Sequence, residues 1–140
     1  MYFRKVTVDE PCNWNLKLRG NSTTWAIIAS ISNVNDLNPI LSTFNEACDE
    51  RSEGVFPSVY GERNDVLLLS LTVDDKALMQ DFQPPSGTAL LAWIRGTDEA
   101  GFLFGKRLSR TGQTGQLVTS GRGGSTCKDA LLSIIVNRGE

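Results

Sequence analysis

The sequence contains no histidine in its 140 residues, and this absence excludes several kinds of chemistry. Ser-His-Asp and Cys-His catalysis need an imidazole to carry the proton, and most catalytic zinc sites use imidazole as a ligand. None of these mechanisms is available within this chain. Since no other strong catalytic set is evident, we expect a protein that binds a ligand rather than an enzyme.

Cysteines and long apolar runs are also scarce. The three cysteines, Cys12, Cys48 and Cys127, are far apart and lack CxxC spacing, so neither a disulfide framework nor a zinc knuckle fits. No stretch approaches the roughly 18 apolar residues of a membrane span. The first residues also lack the apolar run of a signal peptide. We therefore expect a soluble, cytoplasmic protein with no membrane partner.

The composition is that of a globular chain. Apolar residues make up 40% of the sequence and charged residues 21%, which excludes a disordered chain or a coiled coil. A chain of this length forms a single core. We predict one α+β domain over residues 1–140. Its mainly antiparallel sheet of five to seven strands carries one amphipathic helix, and a short helix lies near the C-terminus.

Alternating and continuous apolar runs predict the strands. The strongest pattern is Asp65–Val73, while Thr24–Ile31 is predicted as a central strand covered on both faces. A polar loop separates Ala89–Ile94 from Phe102–Phe104, which predicts a hairpin. Two further strands are predicted over Arg4–Val8 and Trp14–Leu18.

The amphipathic helix is predicted to begin at Asn38. Its side chain can cap a helix, and Pro39 is favourable at the first helical position. Apolar residues then recur at helical spacing from Ile40 to Cys48, with acidic residues on the outer face.

Two shorter helices complete the prediction. One covers Asp75–Phe82. The other follows a capping box formed by Thr126 and Asp129, and a strand over Leu131–Val136 is the alternative.

The small net charge of −2 is unevenly distributed along the chain. Between Gly101 and Lys128 there are five cations, no acidic residue and seven of the 13 glycines. The remaining chain is therefore acidic. Positive charge beside flexible backbone is typical of a site for an anion.

A glycine-rich run at the predicted helix start is the leading candidate site. Backbone N–H groups at such a start can converge on a phosphate, and neighbouring side chains add donors. The run matches neither a Walker A loop nor a dinucleotide fingerprint. A turn that only caps the helix is the alternative. The candidate phosphate-binding residues here are Arg122, Gly123, Gly124, Ser125 and Thr126.

A second candidate group lies upstream, where cations leave a strand and enter a polar stretch. Arginine binds phosphate bidentately, and glutamine can bond to ribose or base edges. An aromatic ring can stack on a base, although such rings are more often core residues. The residues of this group are Lys106, Arg107, Arg110, Gln113, Gln116 and the stacking candidate Phe82.

These features predict non-catalytic binding of a phosphorylated, nucleotide-like small molecule such as a nucleotide second messenger, with no cofactor or metal. Sequestration of a nucleotide signal, as by a viral accessory protein, is compatible with this composition. We also expect a homo-oligomer, because ordering a long glycine-rich loop needs support from a ligand or a partner subunit.

Two alternatives belong to other classes. One is a structural or protein-interaction module, such as a viral structural protein or an immunity-type inhibitor. Its basic loop would meet an acidic partner or, less favoured because the protein as a whole is acidic, nucleic acid. The other is a metal-dependent phosphodiesterase or nuclease that uses Asp65, Asp74 and Lys76. A nucleophilic Cys127 is a further possibility, for which the sequence offers no histidine base.

Overall fold

The computed structural model describes residues 26–47, 53–73, 83–96, 100–120 and 130–139. These residues form nine strands and contain no helix. The strands are β1 (Ile40–Ala47), β2 (Glu53–Phe56), β3 (Tyr60–Gly61), β4 (Val66–Val73), β5 (Ala89–Arg95), β6 (Ala100–Arg107), β7 (Gly112–Gln113), β8 (Leu117–Ser120) and β9 (Ala130–Val136).

Five strands form one antiparallel sheet in the order β1-β9-β4-β6-β5. β4 is central because its sequence, VLLLSLTV, has apolar side chains for both faces. The strand predicted over Asp65–Val73 is therefore confirmed as β4. The predicted hairpin is confirmed as β5 and β6, with Trp93 opposite Phe102.

The short strands form a second layer, which we call the ribbon: residues 53–61 paired with residues 112–120. β2 pairs with β8 and β3 pairs with β7. Between these ladders, the Thr114 N–H donates to the Val59 carbonyl at 2.9 Å and the Val59 N–H donates to Thr114 Oγ1 at 3.1 Å. The ribbon is therefore bonded along its whole length.

The ribbon lies directly on one face of the sheet. A side chain at Gly54 would come within 2.8 Å of Thr119 Cγ2 and 3.3 Å of Leu131 Cδ2, so the glycine permits this close approach. Beneath it, the Phe56 and Phe104 rings meet edge to face with centroids 6.3 Å apart. The main hydrophobic core fills this space.

Residues 26–40 partly cover the other face of the sheet. Ile27, Ile31 and Val34 pack against the smaller core cluster on this side. The Asn35 N–H donates to the Asn137 carbonyl at 3.0 Å, which fixes the segment beside the end of β9. Residues 26–31 form no strand, so the predicted central strand over Thr24–Ile31 is wrong for the residues described.

The predicted amphipathic helix is also wrong, because Ile40–Ala47 is strand β1. It pairs antiparallel with β9, from Ile40 opposite Val136 to Ala47 opposite Ala130. Local helical spacing gives no information about a neighbouring strand that offers free backbone groups. Pairing with that strand overrides the weak helix preference.

The C-terminal helix is wrong as well, and the alternative strand is confirmed as β9. β9 lies between β1 and β4 and therefore needs apolar side chains on both faces. Leu131 and Ile135 face the ribbon, whereas Ile134 and Val136 belong to the opposite cluster.

The α+β class is consequently wrong, and the described part of the protein is all β. The same residues include no helix with the length and apolar character needed to cross a membrane. Three predicted elements lie outside the described residues: Arg4–Val8, Trp14–Leu18 and Asp75–Phe82.

Candidate anion-binding surface

One end of the five-stranded sheet collects cations from three parts of the chain. Val66, the first residue of β4, is paired with both Arg107 and Val136. Arg63 precedes β4 in a turn, and Arg138 follows β9. We define the basic end as Arg63, Lys106, Arg107, Arg110 and Arg138.

The turn before β4 is bonded to the chain after β6. The Asn64 N–H donates to the Leu108 carbonyl at 2.8 Å, and the Leu108 N–H donates to the Asp65 carbonyl at 2.8 Å. The Arg63 N–H donates to Thr111 Oγ1 at 3.0 Å. These bonds hold Arg63 beside the segment that carries Arg110.

A single buried carboxylate organises this end. Asp65 is only 2% exposed. Its Oδ2 accepts the Glu62 N–H at 2.8 Å, and its Oδ1 accepts the Arg138 N–H at 3.2 Å. Because one side chain fixes both the turn and the chain after β9, Asp65 links Arg63 to Arg138 through backbone bonds.

The cations themselves are not neutralised by described acidic residues. Arg63, Arg107 and Arg110 are exposed, while Lys106 and Arg138 are half-buried. Within residues 26–47, 53–73, 83–96, 100–120 and 130–139, no ion pair involves any of them. Guanidinium and ammonium donors form strong, charge-assisted hydrogen bonds with anions.

Lys106 and Arg107 lie on opposite faces of the sheet. Lys106 is opposite Leu67, which faces the ribbon, and Arg107 is opposite Val66. Successive strand residues point to opposite faces. The two cations therefore do not approach one small ligand from the same side.

The polar stretch after Arg110 fastens the ribbon. Gln113 Oε1 accepts a bond from Ser58 Oγ at 3.0 Å, and the Gly115 N–H donates to Ser58 Oγ at 3.1 Å. Gln116 is exposed. Gln113 is predicted to contact a nucleotide, and the structure shows that it also holds the two halves of the ribbon together.

The glycine-rich candidates lie outside the described residues, as does Phe82. They are Arg122, Gly123, Gly124, Ser125 and Thr126, and their role in binding stays a prediction.

Ser120 and Ala130 flank the glycine-rich segment, and both lie at the opposite end of the fold, which we call the far end. Ser120 pairs with Glu53, and Ala130 pairs with Ala47. Eight residue steps of about 3.3 Å separate Gly112 from Ser120, or roughly 26 Å. A residue midway between the two anchors reaches at most about 18 Å from either. The two candidate groups are attached at opposite ends of the fold, and their joint binding of one phosphate stays a prediction.

The same distance bears on the proposed nuclease residues. Asp65 precedes β4, whereas Asp74 follows Val73 at its other end. At about 3.3 Å per residue, Asp65 and Val73 are roughly 26 Å apart, so Asp65 and Asp74 do not share one metal ion. Asp74, Lys76 and Cys127 lie outside the described residues, and no metal-binding cluster of acidic or cysteine side chains occurs in the part described.

Sequence reasoning missed Arg63, Arg138 and the structural role of Asp65. Each cation flanks a strong apolar strand in the sequence, and this is the only local signal. Their proximity depends on the pairing of β4 with β6 and β9, which a single segment does not encode.

A comparison of the chain with known protein-family models, with curated proteins and with solved structures finds no match. The geometry of the basic end is therefore the basis for a functional hypothesis.

Proposed function

We propose that the protein is a non-catalytic binder of a phosphorylated, nucleotide-like small molecule and that the basic end takes its phosphate. The observation that carries the proposal is that backbone bonds to Thr111 and Asp65 hold Arg63, the Arg110 segment and Arg138 at one end of the sheet, without ion pairs to described acidic residues. Arginine donors in a fixed fork match phosphate oxygens.

The ribbon side of the basic end is the favoured position for the phosphate. Arg63 and Thr111 are joined there by a 3.0 Å bond in which Thr111 Oγ1 is the acceptor. The hydroxyl proton of Thr111 remains available as a donor. We infer that the guanidinium groups of Arg63 and Arg110 and the Thr111 hydroxyl bind the oxygens of one phosphate.

A reducing cytoplasm, where nucleotides are abundant, suits this proposal. It is also consistent with three cysteines that show no disulfide spacing. The proposed activity is holding the ligand, which includes sequestration of a nucleotide signal.

The test is a calorimetric titration with adenine and guanine nucleotides, cyclic nucleotides and inorganic phosphate, with and without Mg²⁺. We expect a nucleotide to bind the wild-type protein without product formation. Replacing Arg63 and Arg110 together by alanine should weaken binding at least about tenfold, since each charge-assisted bond contributes about 1.5 to 3 kcal/mol. The matched control is Arg95→Ala, which removes another exposed cation, at the far end of β5.

The outcomes separate the alternatives. No binding of any nucleotide, or an equal loss in Arg95→Ala, contradicts the proposal. Tight, salt-sensitive binding of nucleic acid without nucleotide binding favours the interaction module. Metal-dependent turnover favours an enzyme.

A protein-interaction module is the second candidate function. Leu90, Leu91 and Trp93 on the edge strand β5 are 43%, 54% and 61% exposed. Leu90 and Trp93 lie on the ribbon face and Leu91 on the opposite face, so both faces of this edge present apolar side chains, which are typical of contacts with another protein.

A further inference from the structure

The edge strand β5 is an open apolar surface that the basic end does not use. Among the described residues, β6 is its only strand partner. Leu90, Leu91 and Trp93 expose roughly half of their surface along this strand. Exposed strand edges tend to pair with another strand unless charges, prolines or bulges prevent it.

A β-bulge limits the part of β5 that is able to pair. The register shifts between Leu90 and Ala92, so Leu91 is the extra residue and covers Gly105, whose added Cβ would be 2.6 Å from Leu91 Cδ1. Ala92–Arg95 is then the regular run. The bulge would interrupt pairing with a long strand of another protein, whereas β5 of a second copy has a regular run of the same short length.

We propose that β5 pairs antiparallel with β5 of a second copy of this chain, with Trp93 opposite Trp93 of the partner subunit. A two-fold axis perpendicular to the sheet keeps every residue on its own face, and opposing residues of an antiparallel pair lie on the same face. The pair must therefore be centred on one residue, which lies opposite its own copy. Centring on Trp93 also sets Ala92 opposite Ile94, and both of these lie on the other face.

Charge selects this register over its neighbour. Arg95 is the only charged residue from Gln83 to Gly96. Centring on Trp93 separates the two Arg95 backbones by four residue steps, or roughly 14 Å, which exceeds the Debye length of about 8 Å at physiological ionic strength. A pair centred on Ile94 would place the two Arg95 backbones only about 7 Å apart along the strands.

The charge distribution of the whole fold also favours a second copy. In an antiparallel pair the basic end of one copy lies beside the far end of the other. The sequence next to the far end is acidic: Asp74 and Asp75 follow Val73, and Asp98 and Glu99 precede Ala100. The net charge of −2 adds little repulsion between copies.

The first test measures mass by analytical ultracentrifugation over a series from about 5 to about 500 µM, because a short edge contact is a weak interface. We expect the wild-type mass to double across the series. Trp93→Lys should remain monomeric while keeping the wild-type circular dichroism spectrum. The matched control, Leu37→Lys, changes an apolar residue that is 88% exposed and lies beside β9, and it should dimerise like the wild type.

The second test fixes the register. Trp93→Cys should form an oxidised, disulfide-linked dimer at least about tenfold more than Arg95→Cys, because only opposing residues meet disulfide geometry. Wild-type protein provides the background from Cys12, Cys48 and Cys127. A monomer at all concentrations, a dimer that survives Trp93→Lys, or stronger cross-linking at position 95 would overturn the proposal.

Discussion

The core beneath the ribbon and the basic end are held together by different interactions. In the core, Phe56, Phe104 and Leu71 are almost completely buried and make apolar contacts. At the basic end, exposed arginines rest on a backbone that the carboxylate of Asp65 fixes. The residues which stabilise this fold are thus largely separate from the cations of the basic end, and the buried side chain of Asp65 belongs to both regions.

The largest expected change in stability comes from the core. Phe104→Ala removes a ring that contacts both Phe56 and Phe102, with centroids 6.3 and 6.1 Å away. Such truncations lower the free energy of unfolding by about 3 to 5 kcal/mol, because a cavity remains. Urea unfolding followed by circular dichroism measures the loss.

The control for the core variant is Leu37→Ala. Its side chain is 88% exposed, so its free energy of unfolding should change by less than about 0.5 kcal/mol. A similar loss in both variants would show that the layer between ribbon and sheet is not the main source of stability.

Asp65→Ala should have an intermediate effect on stability and also weaken ligand binding. Its carboxylate accepts the Glu62 and Arg138 N–H groups, so alanine leaves both donors without that partner. We expect a loss of about 2 kcal/mol and a weaker affinity for the nucleotide, since Arg63 and Arg138 lose their fixed backbone.

Asp65→Asn is the conservative comparison for this position. Its amide oxygen still accepts one N–H group, so the loss of stability should be about half of that in Asp65→Ala. Denaturant unfolding and calorimetry on the same samples measure the two effects. If Asp65→Ala keeps wild-type stability and affinity, the carboxylate does not link the two regions.

The strands differ in how well the sequence alone predicts them. β4 is evident because Leu67, Leu69 and Leu71 lie in a largely apolar run that is interrupted only by Ser70 and Thr72. β1 is not evident, since Ile40, Leu41 and Phe44 fit helical spacing equally well. Only pairing with β9, about 90 residues later in the sequence, makes that segment a strand.

The candidate site divides in the same way. Lys106, Arg107 and Arg110 form a visible cluster in the sequence, so charge counting finds them. Arg63 and Arg138 are isolated cations that join the cluster through the pairing of β4 with β6 and β9 and the bonds of Asp65 and Thr111. The alternation of β6 separates Lys106 from Arg107, although adjacency in sequence suggests that they act together.

The smallest expected effect is on the stability of the double variant with Arg63→Ala and Arg110→Ala. These cations are exposed and form no ion pair with a described acidic residue. We expect their removal to relieve the repulsion between two like charges at the same end of the sheet. We expect the free energy of unfolding to rise by about 0.3 kcal/mol at low salt. The gain should vanish near 1 M salt, where the Debye length is about 3 Å.

Arg95→Ala, which removes a cation away from the cluster, should show no such salt-dependent gain in urea unfolding. A loss above about 1 kcal/mol in the double variant would mean that the arginines hold the fold together, and the separation between core and basic end would fail.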